Sequence, residues 1–142
     1  MTTLSIVVPC FNEEDVLPES ATRLSSPLQR LIHQGDVSAD SKIYFIDDGS
    51  TDSTWRLIEA ASTSNTKIGG IKLSRNSGHQ NALLAGLLTV PGDIIISLDA
   101  DLQDDISVIP DMLKENYDGA DIVYGVRSKR TADSIFKRWT AQ

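Results

Sequence analysis

The sequence predicts an α/β fold, a mostly parallel sheet flanked by helices, and three observations carry that expectation. Short apolar runs rich in β-branched residues alternate with longer segments of helical periodicity. The runs IVV and III are apolar at successive positions, which suits strands covered on both faces. Polar, acid-rich clusters follow these runs, at the positions where the loops of such a sheet leave for their helices. A chain of 142 residues has the length for one core.

The first strand is expected at residues 4–9, LSIVVP, ending at Pro9. Residues 13–31 then place Val16, Leu17, Leu24, Leu28 and Leu31 near helical spacing. Asn12 is the expected N-cap, acids fill the first turn, and Pro27 is a candidate break. The second strand, residues 42–47 (KIYFID), leads into a helix capped by Ser50 or Thr51, with Trp55, Leu57, Ile58 and Ala61 as its buried stripe. A third strand at residues 68–73 (IGGIKL) precedes a helix at 79–88. Leu83, Leu84, Leu87 and Leu88 are expected to share its buried side, and Pro91-Gly92 closes it. The fourth strand is residues 93–98 (DIIISL), and residues 120–125 (ADIVYG) are a fifth candidate.

Composition excludes several classes of function. Thirteen Lys and Arg against twenty Asp and Glu give −7, which repels nucleic-acid backbones, so no nucleic-acid partner is expected. The charge is uneven: residues 127–142 carry five basic groups against Asp133, a net of +4 that leaves −11 on the first 126 residues. The single cysteine, Cys10, excludes an internal disulfide and a cysteine-based zinc cluster. MTTLSIVVPC lacks the basic start of a secretion signal, and the longest apolar stretches fall far short of the ~20 residues that span a bilayer. Neither the glycine-rich dinucleotide fingerprint nor the Walker phosphate loop occurs.

The chemistry therefore rests on the loops after the strands. In SLDADLQDD, Asp99 and Asp101 are two apart at a strand end, so extended geometry would point both carboxylates to the same side. Such a pair suits a hard cation, Mg²⁺ or Mn²⁺, that completes its coordination with water and substrate phosphates. Small Ala100 between them admits a close ligand, and Gln103 can add an oxygen. In FIDDGSTDST, Asp47 ends a strand, Asp48 follows it and Gly49 permits a tight reversal; one acid is left over, and a carboxylate at a strand end can accept from a base N–H or ribose hydroxyl. Arg127, after a fifth strand, could hold a second phosphate.

Five segments in order, PCFNEE, IDDGSTDST, RNSGHQNALLAGL, SLDADLQD and VYGVR, resemble the inverting nucleotide-sugar glycosyltransferases of family 2, which have the GT-A fold. The resemblance covers about residues 4–130. SLDADLQD and GHQNALLAG look most like the polyprenyl-phosphate glycosyltransferases, the relatives of dolichol-phosphate mannose synthase and bactoprenol glucosyltransferases. It implies that Pro9, Phe11 and Glu13 line the nucleoside pocket with Asp48, Arg75 and Ala100 also at the nucleotide, that Asp47 meets the base, and that Asp99 and Asp101 form the metal-binding pair with Gln103 nearby. Arg127 would face the acceptor phosphate.

The implied reaction moves a sugar, with inversion, from a nucleotide-sugar donor, expected to be UDP-linked, to a polyprenyl phosphate. Transfer to a saccharide hydroxyl and a non-catalytic binding or assembly module that self-associates are the alternatives. On this resemblance residues 1–130 are a truncated GT-A donor-binding half-domain. Residues 131–142, with Ile135, Phe136 and Trp139 beside Lys137 and Arg138, would begin a basic amphipathic interfacial helix. The full-length protein would then sit at the cytoplasmic face of a membrane, touching it through a further C-terminal part, with this portion soluble.

Overall fold

The computed structural model describes residues 2–101, 106–127 and 134–139. The chain divides into two compact units, residues 1–104 and 105–142. The first holds strands β1 (Leu4–Cys10), β2 (Lys42–Asp47), β3 (Ile68–Lys72) and β4 (Ile94–Ser97), with helices α1 (Leu17–His33), α2 (Thr54–Ser64) and α3 (His79–Thr89) between them. All pairings are parallel and the order is β3-β2-β1-β4. Parallel neighbours need a crossover, and each of the three crossovers carries one helix.

β1 is buried along its whole length, as its unbroken apolar run requires of a central strand. Gly70 of β3, in register with Phe45, faces Ile58 and Trp55 of α2. Val7 and Ile46 point the other way, into a cluster with Ala82 of α3 and Val90. The sheet is thus a middle layer between helices. Leu17, Ala21, Leu24, Leu28 and Leu31 form the buried stripe of α1 at helical spacing.

Four local expectations are corrected. The helix expected from residue 13 begins at Leu17 with Val16 in the N-cap position and no side-chain cap, because the Asn12 side chain is bonded elsewhere. Pro27 does not break α1. The bond it forgoes would have ended on the carbonyl of Arg23, an exposed residue that water can reach. Neither Ser50 nor Thr51 caps α2, whose N-cap position is Ser53; Thr54 and Ile58 are its buried residues, while Trp55, Leu57 and Ala61 are half-buried.

The largest correction concerns α3. Its buried residues are Ala82 and Gly86, while Leu84, Leu87 and Leu88 are exposed, Leu88 by 78%. A Cβ on Gly86 would lie 2.7 Å from Val7 Cγ1. Small residues let this helix approach the sheet closely, and that close fit turns the leucines outward.

The second unit contains a 3-10 turn (Ile106–Val108), α4 (Ile109–Tyr117), and strands β5 (Ile122–Arg127) and β6 (Ser134–Trp139). α4 has Pro110 in its first turn, where a missing N–H costs nothing, and buries Ile109 and Leu113. β5 and β6 pair antiparallel, Ile122 opposite Trp139 and Arg127 opposite Ser134. Ser134–Trp139, in the segment expected to begin an amphipathic helix, is therefore a strand. Among the described residues no helix is long and apolar enough to cross a membrane.

Candidate functional site

The strand order defines where a ligand can sit. The chain runs from β1 outward through β2 and β3, then returns to the other side of β1 as β4, so the topological switch point lies between β1 and β4. Crevices in open α/β sheets form there, beyond the carboxyl ends of the strands. A cavity of about 400 Å³ occupies this place.

Each wall comes from one loop. Pro9, Cys10, Phe11 and Glu13 descend from β1, Asp48 from β2, and Asp99, Ala100 and Asp101 from β4. Asn76, Gly78, His79 and Ala82 close the side formed by the start of α3. Of the residues singled out in the sequence, the cavity brings together Pro9, Phe11, Glu13, Asp48, Asp99, Ala100 and Asp101; Asp47 and Arg75 are not in its lining. Gln103 lies outside the described residues. Arg127 ends β5 in the second unit, where only its backbone is described. Sequence reasoning did not assign Cys10, Asn76, Gly78, His79 and Ala82 to the site; the signal that could have found the last four is that the loop into α3 leaves from the same sheet edge.

The two acids ending β2 have different fates. Asp47 is fully buried; one carboxylate oxygen accepts from the Ser50 N–H at 3.2 Å, and the other, Oδ2, has no partner. Asp48 is 3% exposed and uses both oxygens on backbone donors, Ser77 N–H at 2.7 Å and Gly78 N–H at 3.1 Å. It ties the β2 end to the loop that enters α3.

The β4 turn is anchored from below. The buried Ser20 hydroxyl donates to the Ala100 carbonyl at 2.7 Å, fixing the residue between Asp99 and Asp101 to α1. The Asp99 carboxylate, about half exposed, stands 3.7 Å from His79 Nε2. Burial raises the Glu13 carboxyl above its ordinary pKa, and the charges of Asp101 and then Asp52 raise it further. Burial also drives the Cys10 thiol upward, with Glu13 and Asp47 adding to the effect, so this cysteine is a neutral wall and not a nucleophile.

Among the described residues the lining holds four carboxylates, Glu13, Asp48, Asp99 and Asp101, and no lysine or arginine. No cluster of three or more His, Cys, Asp or Glu side chains forms a ready metal cage among the described residues. Two exposed-lip carboxylates with hard oxygen donors nevertheless fit Mg²⁺ or Mn²⁺, ions that keep open positions for water and phosphate.

The sequence profile described as Glycosyl transferase family 2 matches residues 5–142. The chain belongs to that family. It is 53% identical over 140 residues to an uncharacterized glycosyltransferase, YkoT, of Bacillus subtilis, a match covering 97% of this chain and 42% of that protein. It is 40% identical to the prophage bactoprenol glucosyl transferase homolog of Escherichia coli, covering 98% and 44%. It is 39% identical to the undecaprenyl-phosphate 4-deoxy-4-formamido-L-arabinose transferase of Klebsiella pneumoniae, covering 95% and 39%. The chain thus spans about two-fifths of the length of these relatives.

Solved structures agree on the fold. A mannosyltransferase from Pyrobaculum calidifontis, in complex with GDP-Man and Mn²⁺, superposes with a TM-score of 0.56 at 20% identity over 70% of this chain and 28% of its own. TarS of S. aureus gives 0.56 at 23% identity over 70% and 16%. The GT-A fold is that of this family 2 chain, in its N-terminal portion.

Proposed function

We propose that this chain is the donor-binding part of an inverting glycosyltransferase that moves a sugar from a nucleoside diphosphate to a polyprenyl phosphate. The observation that carries this reading is the cavity at the β1/β4 switch point, to which the described residues contribute four carboxylates and no lysine or arginine. A diphosphate is repelled by such a wall unless a divalent ion joins them. Two of the relatives are named for bactoprenol and undecaprenyl phosphate, which supports the lipid acceptor.

Asp99 and Asp101 would hold the ion, Mg²⁺ or Mn²⁺, with Gln103 as a candidate further oxygen. Bound there, it supplies Lewis-acid stabilisation of charge on the departing diphosphate. The chain's own residues bind and orient. Phe11, 43% exposed at the cavity, offers a ring face to a nucleobase, and Asp47, fully buried and outside the lining, is assigned to the base by family likeness alone. Glu13 and Asp48 bound the nucleoside side, and Arg75 is assigned to the nucleotide by family likeness alone.

In the reaction, a phosphate oxygen of the lipid forms a bond to the anomeric carbon as the bond to the nucleoside diphosphate breaks, inverting configuration. The electron pair of the breaking bond leaves with the diphosphate. A phosphate monoester, with its second pKa of about 6, is largely ionised at neutral pH, so no strong base is needed. Arg127 is assigned to the acceptor phosphate by family likeness alone. Calorimetric titration with UDP, with and without Mn²⁺, tests the donor half of the proposal. Mn²⁺-dependent binding that Asp101→Ala abolishes is expected, and binding indifferent to both refutes it.

A further inference from the structure

The loop that carries Phe11 and Glu13 to the cavity joins α1 through the Glu13 carbonyl, which accepts from Val16 N–H at 3.1 Å and Leu17 N–H at 2.9 Å. Residues 12–14 are also laced to residues 50–54, the loop between β2 and α2 with the first residue of α2. Asn12 N–H donates to Ser50 Oγ at 2.9 Å, and the Asn12 side-chain oxygen accepts from Thr51 N–H at 2.8 Å and Asp52 N–H at 3.3 Å. Glu13 N–H donates to Thr54 Oγ1 at 2.9 Å, and Thr54 Oγ1 in turn donates to Asp52 Oδ1 at 2.5 Å. Ser53 N–H donates to Glu14 Oε2 at 2.9 Å.

Asn12 is the hinge of this lacing. Its φ of 51° makes it the non-glycine residue with a left-handed backbone among the described residues. Asparagine is among the few residues that tolerate that conformation, and a short side-chain amide is what can reach two successive N–H groups from it. The turn lets Phe11 and Glu13, on either side of Asn12, both line the cavity while Asn12 itself does not.

We propose that Asn12 is a positioning residue for nucleotide binding, its left-handed backbone and side-chain oxygen together locking the β1–α1 loop onto the β2–α2 loop so that Phe11 and Glu13 are presented preorganised to the donor. The inference rests on the donor-binding reading above. Preorganisation of this kind acts on affinity, because an unlaced loop must be ordered each time a ligand binds. It also predicts a division of labour that a general folding role does not: glycine restores the backbone but no acceptor, aspartate restores both, and alanine restores neither.

The test uses the 142-residue chain and its Asn12→Ala, Asn12→Gly and Asn12→Asp variants. UDP binding is measured by calorimetry in Mn²⁺ well below each variant's melting temperature, beside amide hydrogen exchange of residues 11–14 without nucleotide. Weakening of about tenfold or more is expected for Asn12→Ala, an intermediate loss for Asn12→Gly, and rescue to within about threefold by Asn12→Asp. Exchange at residues 11–14 should quicken in the same order. Affinity within about twofold of wild type in folded Asn12→Ala, whatever its melting temperature, overturns the inference and leaves the donor reading intact. If wild type binds no UDP while exchange still follows the order given, the donor reading has failed and the positioning role falls with it.

Discussion

Gly49 sets up a quantitative test of how the cavity walls are assembled. It adopts φ 69° at the turn after β2, and a Cβ added there would lie closer than 3.0 Å to backbone atoms of Arg75 and Asn76. Gly35, just past the end of α1, adopts a similar φ of 78° with open space where its Cβ would be. Substituting alanine at Gly35 therefore incurs only the left-handed penalty, about 1–2 kcal/mol. At Gly49 the same penalty is joined by overpacking against backbone that cannot rotate away, a further ~1–3 kcal/mol. The expected loss for Gly49→Ala is thus roughly 2–5 kcal/mol, and the difference between the two variants isolates the close approach of the two loops. For a domain near this size each kcal/mol shifts the melting midpoint by about 3 °C. Urea unfolding of both variants measures the difference directly. Unfolding free energies equal to within about 0.5 kcal/mol would refute the argument that the β2 turn and the loop into α3 are in obligatory contact.

Further outcomes follow from the same geometry. Asp48→Asn places an amide NH₂ where one backbone N–H needs an acceptor, at a site 3% exposed; about 1–3 kcal/mol of stability should be lost, read by denaturant unfolding. Gly86→Ala should cost ~1–3 kcal/mol through its contact with Val7, whereas Leu88→Ser, on the outward face of the same helix, should stay within about 0.5 kcal/mol. Glu13, raised by burial and by Asp101 and Asp52, contributes stability below its ordinary pKa that is lost as pH rises through the raised folded value. Glu13→Gln should therefore melt above wild type at pH 7, with the gap closing towards about pH 4; a melting point below wild type at pH 7 contradicts the assigned repulsion.

The strands were legible because short runs rich in β-branched residues and bounded by turn signals favour strands: IVV and III fall in β1 and β4, and residues 42–47 were placed to the residue. The site was legible as a place, since acids after β1, β2 and β4 must share the sheet's carboxyl edge. What stayed hidden were long-range contacts. Asn12 has the signature of a helix cap, but its acceptor serves a loop nearly forty residues away. In α3 the leucines and the small residues repeat with the same period, so either set could face the sheet. The choice fell to Gly86 because its contact with Val7 brings the helix nearer than leucines would allow. The different fates of Asp47 and Asp48 stayed hidden too, because Asp48 takes its backbone donors, Ser77 N–H and Gly78 N–H, from a loop some thirty residues away.

The acids around the cavity divide into two groups, and the division gives a thermodynamic expectation. Asp48 and Asp52 direct their oxygens at backbone N–H groups. Burial acts to raise the Asp52 carboxyl, but the Thr54 hydroxyl and the N–H groups of Thr54, Glu14 and Asp52 itself outweigh it and hold the pKa low. Their charge holds loops. Asp99 and Asp101 stand on a turn anchored through Ala100, with Asp101 close enough to Glu13 to perturb it. Two carboxylates alone make a weak site for a hard divalent ion, and a diphosphate alone meets a repulsive wall. Each ligand should therefore bind poorly by itself and well with the other, a coupling that is reciprocal by necessity. Melting curves with Mn²⁺, with UDP and with both should show a shift for the pair that exceeds the two separate shifts together, each shift following the logarithm of ligand over its dissociation constant. Asp101→Ala should reduce the pair to the shift of UDP alone. Simple additivity in wild type would mean that the ion and the diphosphate do not meet at this edge of the sheet.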